Sequence, residues 1–459
     1  MISSDYKRFL RRVMTLMIPV LIQNGITNFV NMLDNLMVGR VGDAETAAVS
    51  IASMLIFIFN LCIFGATSGA GIFGAQFFGA GDTEGLRRTF RFKILMSAVL
   101  TAAATLILVF FGDYFISLFL TGEGEREVIE RTATLAHEYL FTMLISLFPF
   151  ALVQCWASTL RETGRTVLPM AAGFTATLVN LVLNYILIFG SFGAPRLGVT
   201  GAAIATVVSR FVELAIVAIG TWKTREKGKF IVGTFKKFYI PLPLMKQIII
   251  KGCPLIINEM MWSLGLTTLN ALYSTRGHDV VTANSINTTF FNVVAVFFFS
   301  LGPVASIIVG QMLGSGDISG AKRAAWRLLV ISLIIGVAVG AIYAAISPFV
   351  PRFYNAGETV YSTATRLMLI CSVFMPFEAA THSEYFTIRS GGQTLITILF
   401  DSGSMWTLCV PMVFLLANFT NLSVFWLYGA VQAVSVVKSA IGFILLKRGR
   451  WATNIVERI

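Results

Sequence analysis

Two glutamates occur in the interior of long apolar segments, where an ionisable side chain is unusual. Glu259 lies about 12 residues into the segment 247–273, and Glu378 lies about 12 residues into the segment 366–388. If both segments are helices that cross a membrane in opposite directions, a rise of ~1.5 Å per residue brings both carboxylates near mid-membrane. Two carboxylates at one depth could hold a Na⁺ ion or share a proton, because like charges disfavour full ionisation of both. We therefore predict a cation site at Glu259 and Glu378, with His382 one turn away; the alternative is a packed, hydrogen-bonded pair.

The first apolar segment, 14–38, carries polar residues that recur at spacings of three and four. That spacing puts them on one helix face, which must line a cavity or a packed seam because it does not suit lipid. Asp34, near the outer end of this face, is a candidate for binding substrate or a proton. The residues predicted to line a cavity are Gln23, Asn24, Thr27, Asn28 and Asn31 of this segment, Asn180 and Asn184 of the fifth, Asn284, Asn287 and Thr288 of the eighth, and His382 of the tenth.

Composition indicates that these segments lie in lipid. Hydrophobic residues make up 56% of the chain and charged residues 13%, whereas a soluble protein needs about 25% charged residues to cover its surface. A helix needs about 20 apolar residues to cross the hydrocarbon core. Twelve stretches qualify, approximately 14–38, 46–78, 92–111, 135–156, 166–189, 197–219, 247–273, 280–312, 326–346, 366–388, 395–417 and 423–446. We predict an all-α integral membrane protein with twelve transmembrane helices, of which the second and eighth are long enough to require tilt or bending.

Lys and Arg are distributed unevenly about these stretches. With the N-terminus inside, the cytoplasmic segments hold about 25 of the 35 Lys and Arg residues, and the outer loops hold about six. This bias predicts a multi-pass protein of the plasma membrane with both termini in the cytoplasm. It also accounts for the net charge of +12 without nucleic acid as a partner. We expect a monomer in the lipid bilayer.

The chain repeats itself. At an offset of 235 residues, the motif Gln-x-x-Gly-x-Gly-Asp at 76–82 falls on the same motif at 311–317, and at an offset of 228, residues 161–166 fall on 389–394. We predict two six-helix lobes, 1–220 and 247–459, joined by a basic cytoplasmic linker, 221–246. Six helices return the chain to the side on which it began, so the lobes would be related by a pseudo-two-fold axis along the membrane normal. We interpret the repeated motif as structural: it ends a helix, turns the chain, and lets Asp82 and Asp317 cap the next helix or pair with nearby arginines.

Five stretches together resemble the multidrug and toxic compound extrusion (MATE) family of transporters over essentially the whole chain. They are FVNMLDNLMVGRVG (29–42), GAQFFGAGD (74–82), TLRETGRT (159–166), NLVLNYILIFG (180–190) and VGQMLGSGD (309–317). The resemblance implies a V-shaped central cleft between the lobes and export of organic, often cationic or amphipathic compounds, driven by inward flow of Na⁺ or H⁺. Asp34 matches the family's first-helix acid and Glu259 the seventh-helix glutamate of the NorM-like cation site, while Glu378 falls where that branch usually has an aspartate. Asn184 stands where a proton-linked branch has an aspartate, which argues against a proton mechanism confined to the first lobe.

On this resemblance we expect a cation-coupled exporter of small organic compounds that has no catalytic residues and no cofactor other than the coupling ion, Na⁺ or H⁺. A flippase for lipid-linked saccharides is the alternative within transport, although it would favour a strongly basic cleft to hold pyrophosphate. Arg210 and Lys438 are the main intramembrane bases, and they are few for that role. A membrane enzyme is a remote third possibility, because the five cysteines show no metal-binding spacing and no nucleophile-and-base constellation occurs at a consistent depth.

Overall fold

The computed structural model describes residues 4–120, 126–226, 229–236, 238–354 and 356–457, with the backbone alone at 31, 32, 35, 36 and 278. Throughout these ranges the regular structure is helical and contains no β-strand. The α-helices are α1 (Ser4–Gly39), α2 (Asp43–Gly79), α3 (Thr83–Phe119), α4 (Arg126–Glu162), α5 (Val167–Phe189), α6 (Gly198–Lys223), α7 (Leu242–Ser274), α8 (His278–Phe299), α9 (Leu301–Gly314), α10 (Ile318–Ile346), α11 (Glu358–Ser390), α12 (Thr394–Ile398), α13 (Val410–Phe419) and α14 (Val424–Arg448). Short 3₁₀ helices are formed by Ser191–Gly193 and Val350–Phe353.

These helices occupy the twelve predicted stretches. In the described part of the chain, 11 segments are long and apolar enough to cross a membrane, and α7, with 33 residues, fills the remaining predicted stretch. The prediction of an all-α integral membrane fold is confirmed. The reason is that hydrocarbon offers no hydrogen-bond partners, so a crossing backbone must satisfy its own N–H and C=O groups within a helix.

Two of the stretches are not simple α-helices. The eighth stretch, which its length led us to expect to tilt or bend, breaks at Ser300, between α8 and α9 and close to Gly302 and Pro303. Pro303 has no N–H to donate to the carbonyl four residues earlier, so Phe299 is left with a free carbonyl oxygen at the break. The eleventh stretch contains two π-helical turns, Leu399–Gly403 and Met405–Cys409, between α12 and α13. The second stretch, in contrast, runs unbroken as α2.

The chain forms two compact units. One unit consists of Ile18–Gly74 and Thr83–Met245, and the other of Met1–Met17, Ala75–Asp82 and Lys246–Ile459. The second unit therefore includes the start of α1 and the last turns of α2 in addition to the C-terminal half. The division into functional lobes at 220 and 247 stays a prediction.

The repeated motif explains why the end of α2 belongs with the C-terminal half. A Cβ added to Gly79 would overlap the backbone of Gln311, and a Cβ added to Gly314 would overlap the backbone of Gln76. The two copies of the motif thus pack backbone against backbone, each glycine against the glutamine of the other copy. Only glycine permits so close an approach, which supports the structural interpretation of the motif.

The glutamines of the two motifs fasten the chain ends. The Gln76 amide donates to the Ser390 carbonyl oxygen at 2.9 Å, and its own oxygen accepts from the backbone N–H of Ile455 at 2.8 Å. The Gln311 oxygen accepts from the Arg12 guanidinium at 2.5 Å. The C-terminal tail and the first helix are therefore both held at the place where the two motifs meet.

Asp317 caps α10, as predicted. Its carboxylate accepts a hydrogen bond from the backbone N–H of Gly320 at 2.7 Å, and this bond lowers the pKa of Asp317 below its ordinary value of 3.8. Gly316, with φ +80°, makes the left-handed turn that precedes the cap.

We expect Asp317→Ala to lower the free energy of unfolding by about 1 kcal/mol, because one N–H at the start of α10 loses its acceptor. The stabilisation of the native protein is present above the unfolded pKa and is lost as the pH falls through the lowered folded pKa. Denaturant titrations in detergent at pH 7 and pH 3 would measure both effects. Asp317→Asn is the control: it keeps the cap and removes this part of the pH dependence, so equal losses from Ala and Asn at pH 7 would contradict the assignment.

The part of the basic linker that the structure describes packs against α3. The buried guanidinium of Arg91 on α3 donates to the carbonyl oxygen of Thr234 at 2.8 Å and to the Glu84 carboxylate at 2.8 Å. Phe230 is buried and packs edge-on against Phe90, with ring centroids 5.2 Å apart. Residues 227, 228 and 237 of the linker lie outside the described ranges.

Candidate functional site

An ion pair lies inside the C-terminal unit, between the eleventh and twelfth stretches. The Lys438 ammonium on α14 donates to one carboxylate oxygen of Asp401 at 2.8 Å, and the Asn258 amide on α7 donates to the other at 3.0 Å. Asn258 is itself fixed by Ser402, whose hydroxyl donates to the Asn258 side-chain oxygen at 2.7 Å. Asp401 lies in the first π-helical turn, and such turns occur frequently at functional sites.

Asp401 is not among the residues predicted from the sequence. The signal for it was present, since an aspartate occurs seven residues into the stretch 395–417, where an ionisable group is costly. Lys438 was noted only as one of a few intramembrane bases. No local pattern predicts that Asp401 and Lys438 form a pair, because they lie on different helices and are 37 residues apart in the chain.

The two predicted glutamates both lie near this ion pair. Glu259 and Glu378 are half-buried, and each interacts electrostatically with Asp401. Glu378 also interacts with Lys438. Among the described residues neither glutamate forms a hydrogen bond, so a packed, hydrogen-bonded pair between them is not observed. Their assignment as a cation site stays a prediction.

His382 has a partner other than Glu378. Its ring nitrogen Nε2 donates to the carbonyl oxygen of Phe299 at 3.1 Å, which is the acceptor that Pro303 leaves free at the break between α8 and α9. The imidazole is packed between the rings of Phe299 and Phe386, with centroid distances of 4.8 Å to each. His382 therefore ties α11 to the broken eighth stretch, beside the ion pair, since it also interacts electrostatically with Asp401.

A second base, Arg389, is buried on the same helix, with 4% of its surface exposed. Its guanidinium lies over the ring of Phe386 at 5.0 Å and over that of Tyr385 at 5.9 Å. Two of its nitrogens, Nε and Nη1, have no hydrogen-bond partner in the described structure. Arg389 interacts electrostatically with Glu259, so the site contains two bases in addition to its acids.

Asp34 is the centre of a polar cluster in the other unit. The Asn184 amide of α5 donates to the Asp34 carboxylate at 2.8 Å. With the Asn180 amide turned over, its nitrogen is 3.1 Å from the second carboxylate oxygen of Asp34, and its oxygen accepts from Thr206 at 3.2 Å. The structure thus brings together Asp34, Asn180 and Asn184, three of the residues predicted from the sequence.

The other polar residues of α1 extend this cluster along the helix. Gln23 lies close to Gly173 of α5, and Glu213 of α6 lies near the same glycine. Gln23 and Asn24 are half-buried, whereas Thr27 and Asn28 are exposed in the absence of lipid. Thr27 donates to the backbone carbonyl oxygen of Gln23 at 2.9 Å, so its hydroxyl is satisfied within the helix. Asn31 was also predicted to line a cavity, but its side chain is not among those that the structure describes.

Arg210 and Glu213, three residues apart in the sixth stretch, form a local ion pair. The guanidinium of Arg210 is 2.9 Å from the Glu213 carboxylate and lies over the ring of Phe150 at 5.2 Å. Arg210 also interacts electrostatically with Asp34. At the offset of 228 residues, Arg210 corresponds to Lys438, so each half carries a base paired with an acid at this position.

The amides of the eighth stretch are satisfied by neighbouring helices. Asn287 is buried; its amide donates to the Tyr428 hydroxyl at 2.8 Å, and its oxygen accepts from Tyr343 at 3.0 Å. Asn284 donates to the Asn270 side-chain oxygen at 3.0 Å, and Thr288 is half-buried. For Asn287 this arrangement is the one expected of a polar residue in helix packing, and its predicted role in lining a cavity stays a prediction.

In the part of the chain that the structure describes, no group of three or more His, Cys, Asp and Glu side chains is arranged to hold a metal ion.

The chain is similar to known proteins over nearly its whole length. The sequence profile named MatE matches residues 19–186 and, a second time, residues 254–415. A protein named probable multidrug resistance protein NorM, from Thermotoga maritima, is 23% identical over 97% of this chain and 94% of its own length. The multidrug resistance protein NorM of Vibrio cholerae is 26% identical over 90% of this chain and 88% of its own length.

Solved structures share the fold. The crystal structure of a variant of a Vibrio cholerae MATE transporter superposes with a TM-score of 0.88 at 15% identity, covering 98% of this chain and all of that one. A multidrug resistance MATE family transporter in an outward-facing conformation superposes with a TM-score of 0.85 at 20% identity, covering 95% of each chain. At such identities the likeness establishes the architecture alone.

The two profile matches begin at Pro19 and Pro254, at the offset of 235 residues that relates the halves, and together they cover more than half of the chain. A transporter family therefore accounts for the internal repeat as well as for the fold, and it removes the enzyme from consideration. The chain belongs to the MATE family and is a NorM-like, multi-pass membrane transporter.

Proposed function

We propose that the chain is a cation-coupled antiporter that exports organic compounds, cationic or amphipathic in character, across the plasma membrane by alternating access. Membership of the MATE family supports efflux, and the relatives named as multidrug resistance proteins support organic substrates. The few intramembrane bases are paired with acids or stacked on rings, which disfavours the alternative of a flippase that would use them to hold pyrophosphate.

One observation carries the proposal of coupling. Glu259 and Glu378 lie in membrane-crossing helices, are only half-buried, and interact with Asp401 without a hydrogen-bonded partner of their own in the described structure. An ionisable group at bilayer depth costs roughly 2.5–3.5 kcal/mol on insertion scales. Carboxylates that carry this cost and remain accessible are suited to receive Na⁺ or H⁺.

The cluster at Asp34 is suited to the other half of the reaction. Its carboxylate is oriented by Asn184 and Asn180 and lies on a helix whose remaining polar residues continue toward Gln23. A fixed carboxylate flanked by amides can bind an organic cation or a proton. The phenylalanines of the chain supply apolar and aromatic surface for the rest of such a ligand.

Coupling follows if the two ligands favour different conformations. A cation that binds Glu259 and Glu378 from outside would favour the outward-facing state and lower the affinity for substrate, which is then released. By linkage, substrate bound from the cytoplasm would weaken cation binding by the same factor. Each ligand can shift the equilibrium between the outward-facing and inward-facing states only by as much as its affinities for the two states differ. The plasma-membrane location, the cytoplasmic termini and the monomeric state belong to this proposal.

The test is efflux of a fluorescent organic cation, ethidium, from proteoliposomes that contain the purified protein. We impose an inward Na⁺ gradient and, separately, an inward proton gradient, and we expect one of them to accelerate efflux. The gradient that does so identifies the coupling ion. Collapse of the gradient with the matching ionophore should return the rate to that of protein-free vesicles. Efflux that depends on the protein but responds to neither gradient would refute cation coupling while leaving transport intact.

A further inference from the structure

The ionisable groups of the C-terminal site have an uneven charge balance. The acids are Glu259, Glu378 and Asp401, and the bases are Lys438 and Arg389. His382 donates through Nε2 to the backbone carbonyl oxygen of Phe299 and is packed between the rings of Phe299 and Phe386, a dry setting that disfavours its charged form. With the carboxylates ionised and His382 neutral, the site carries one negative charge more than it carries positive charges.

Each base is associated with a particular acid. Lys438 is bound directly to Asp401 at 2.8 Å, and the side chains of this pair are only 16% and 23% exposed. Arg389 interacts electrostatically with Glu259, and in the described structure it forms no ion pair within 4.0 Å. In the described structure Glu378 forms no ion pair, and Lys438, the base with which it interacts electrostatically, is already bound to Asp401.

An unbalanced charge in the membrane interior is costly, and the cost is removed when one positive charge is added. A second added charge would restore the imbalance with the opposite sign. Since this argument depends only on the sum of charges, it applies equally to Na⁺ and to a proton.

Resting on the cation coupling proposed above, we propose that the C-terminal site takes one monovalent cation per cycle and that Lys438 sets this number. In this role Lys438 is a resident cation: its ammonium, 5.8 Å from the ring centroid of Phe400, occupies the position at Asp401 that a second transported ion would otherwise take. The corresponding base of the other half, Arg210, is neutralised in the same manner by Glu213 at 2.9 Å.

The charge balance predicts a different uptake for each member of a mutant cycle. Wild type should take one positive charge. Lys438→Met should take two, because Asp401 is released, and Asp401→Asn should take none, because Lys438 then neutralises Glu378. The double variant, Lys438→Met with Asp401→Asn, should again take one, and Lys438→Arg should match wild type.

Uptake is measured on full-length protein in detergent, as positive charges taken up per molecule. In one experiment ²²Na⁺ is added to saturation at pH 7 and the bound ions are counted. In the other the pH is lowered to 7 and the protons taken up are counted. The double variant keeps the balance of charge and is the control, while Asp401→Asn, which should take no charge, tests the proposal if Lys438→Met folds poorly. Equal uptake by wild type and Lys438→Met, or by wild type and Asp401→Asn, would overturn the role of Lys438. Because gradient-driven ethidium efflux is scored separately, such a result is distinguishable from a failure of cation coupling itself.

Discussion

We expect Glu378→Gln to lose gradient-driven export while the protein still inserts and folds, and we expect the same of Glu259→Gln. Glutamine keeps the size of the side chain and its hydrogen-bonding atoms but removes the charge that balances a bound cation. Truncating one partner of a buried charge interaction typically costs ~2–5 kcal/mol. We therefore expect cation affinity to fall at least about 30-fold, which corresponds to ~2 kcal/mol. Ethidium efflux under the effective gradient, together with the cation dependence of its rate, measures this loss.

The same helix supplies the matched control. Glu358 is exposed in the first turn of α11, so Glu358→Gln makes the same chemical change away from the site and should leave export at the wild-type rate. Glu378→Asp, which restores the charge on a shorter side chain, should recover part of the activity. Undiminished gradient-driven export in both Glu259→Gln and Glu378→Gln would end the assignment of these carboxylates to the coupling ion.

Lys93→Met should be the most destabilising single change outside the transport site. The Lys93 ammonium is 2.5 Å from the Glu162 carboxylate, with side-chain exposures of 0% and 7%, and also donates to Ser158 and Thr159 at 3.1 Å each. Breaking a buried ion pair by removing one partner costs ~3–5 kcal/mol, because the remaining charge stays buried without its counterion. We expect a loss of that size in the free energy of unfolding, measured by denaturant titration in detergent micelles.

The carboxylate cannot simply move away, because of how it is enclosed. Glu162 lies against Gly71 and Gly74 of α2, where an added Cβ would overlap its carboxylate. Adding Glu162→Gln to Lys93→Met should therefore recover a large part of the stability by removing the uncompensated charge. Lys7→Met, at an exposed position of α1, serves as the control and should change stability by less than about 0.5 kcal/mol. A loss of similar size in Lys93→Met and Lys7→Met would show that the pair contributes no more than a surface charge.

The two longest stretches, the second and the eighth, were both expected to tilt or bend. The second is one continuous helix, α2, whose Gly71 and Gly74 make room for Glu162. In the eighth stretch the corresponding expectation is confirmed by the break at Ser300. The difference has a local cause there: Pro303 removes a backbone donor, whereas glycine in α2 removes only a side chain.

The sequence by itself determined that the chain lies in lipid, where its helices are, that it repeats, and which family it resembles. Hydrocarbon thickness and backbone hydrogen bonding act on contiguous residues, so they leave a local pattern. An internal repeat is equally visible, because the same motifs recur at a constant offset. It also singled out Asp34, Glu259 and Glu378, since a charge at bilayer depth is conspicuous in one dimension. Only the tertiary structure decided which groups face one another: the ion pair of Asp401 and Lys438, the amides around Asp34, and the carbonyl of Phe299 that holds His382. These contacts join helices far apart in the chain, and their partners are chosen by packing, which no local pattern of residues records.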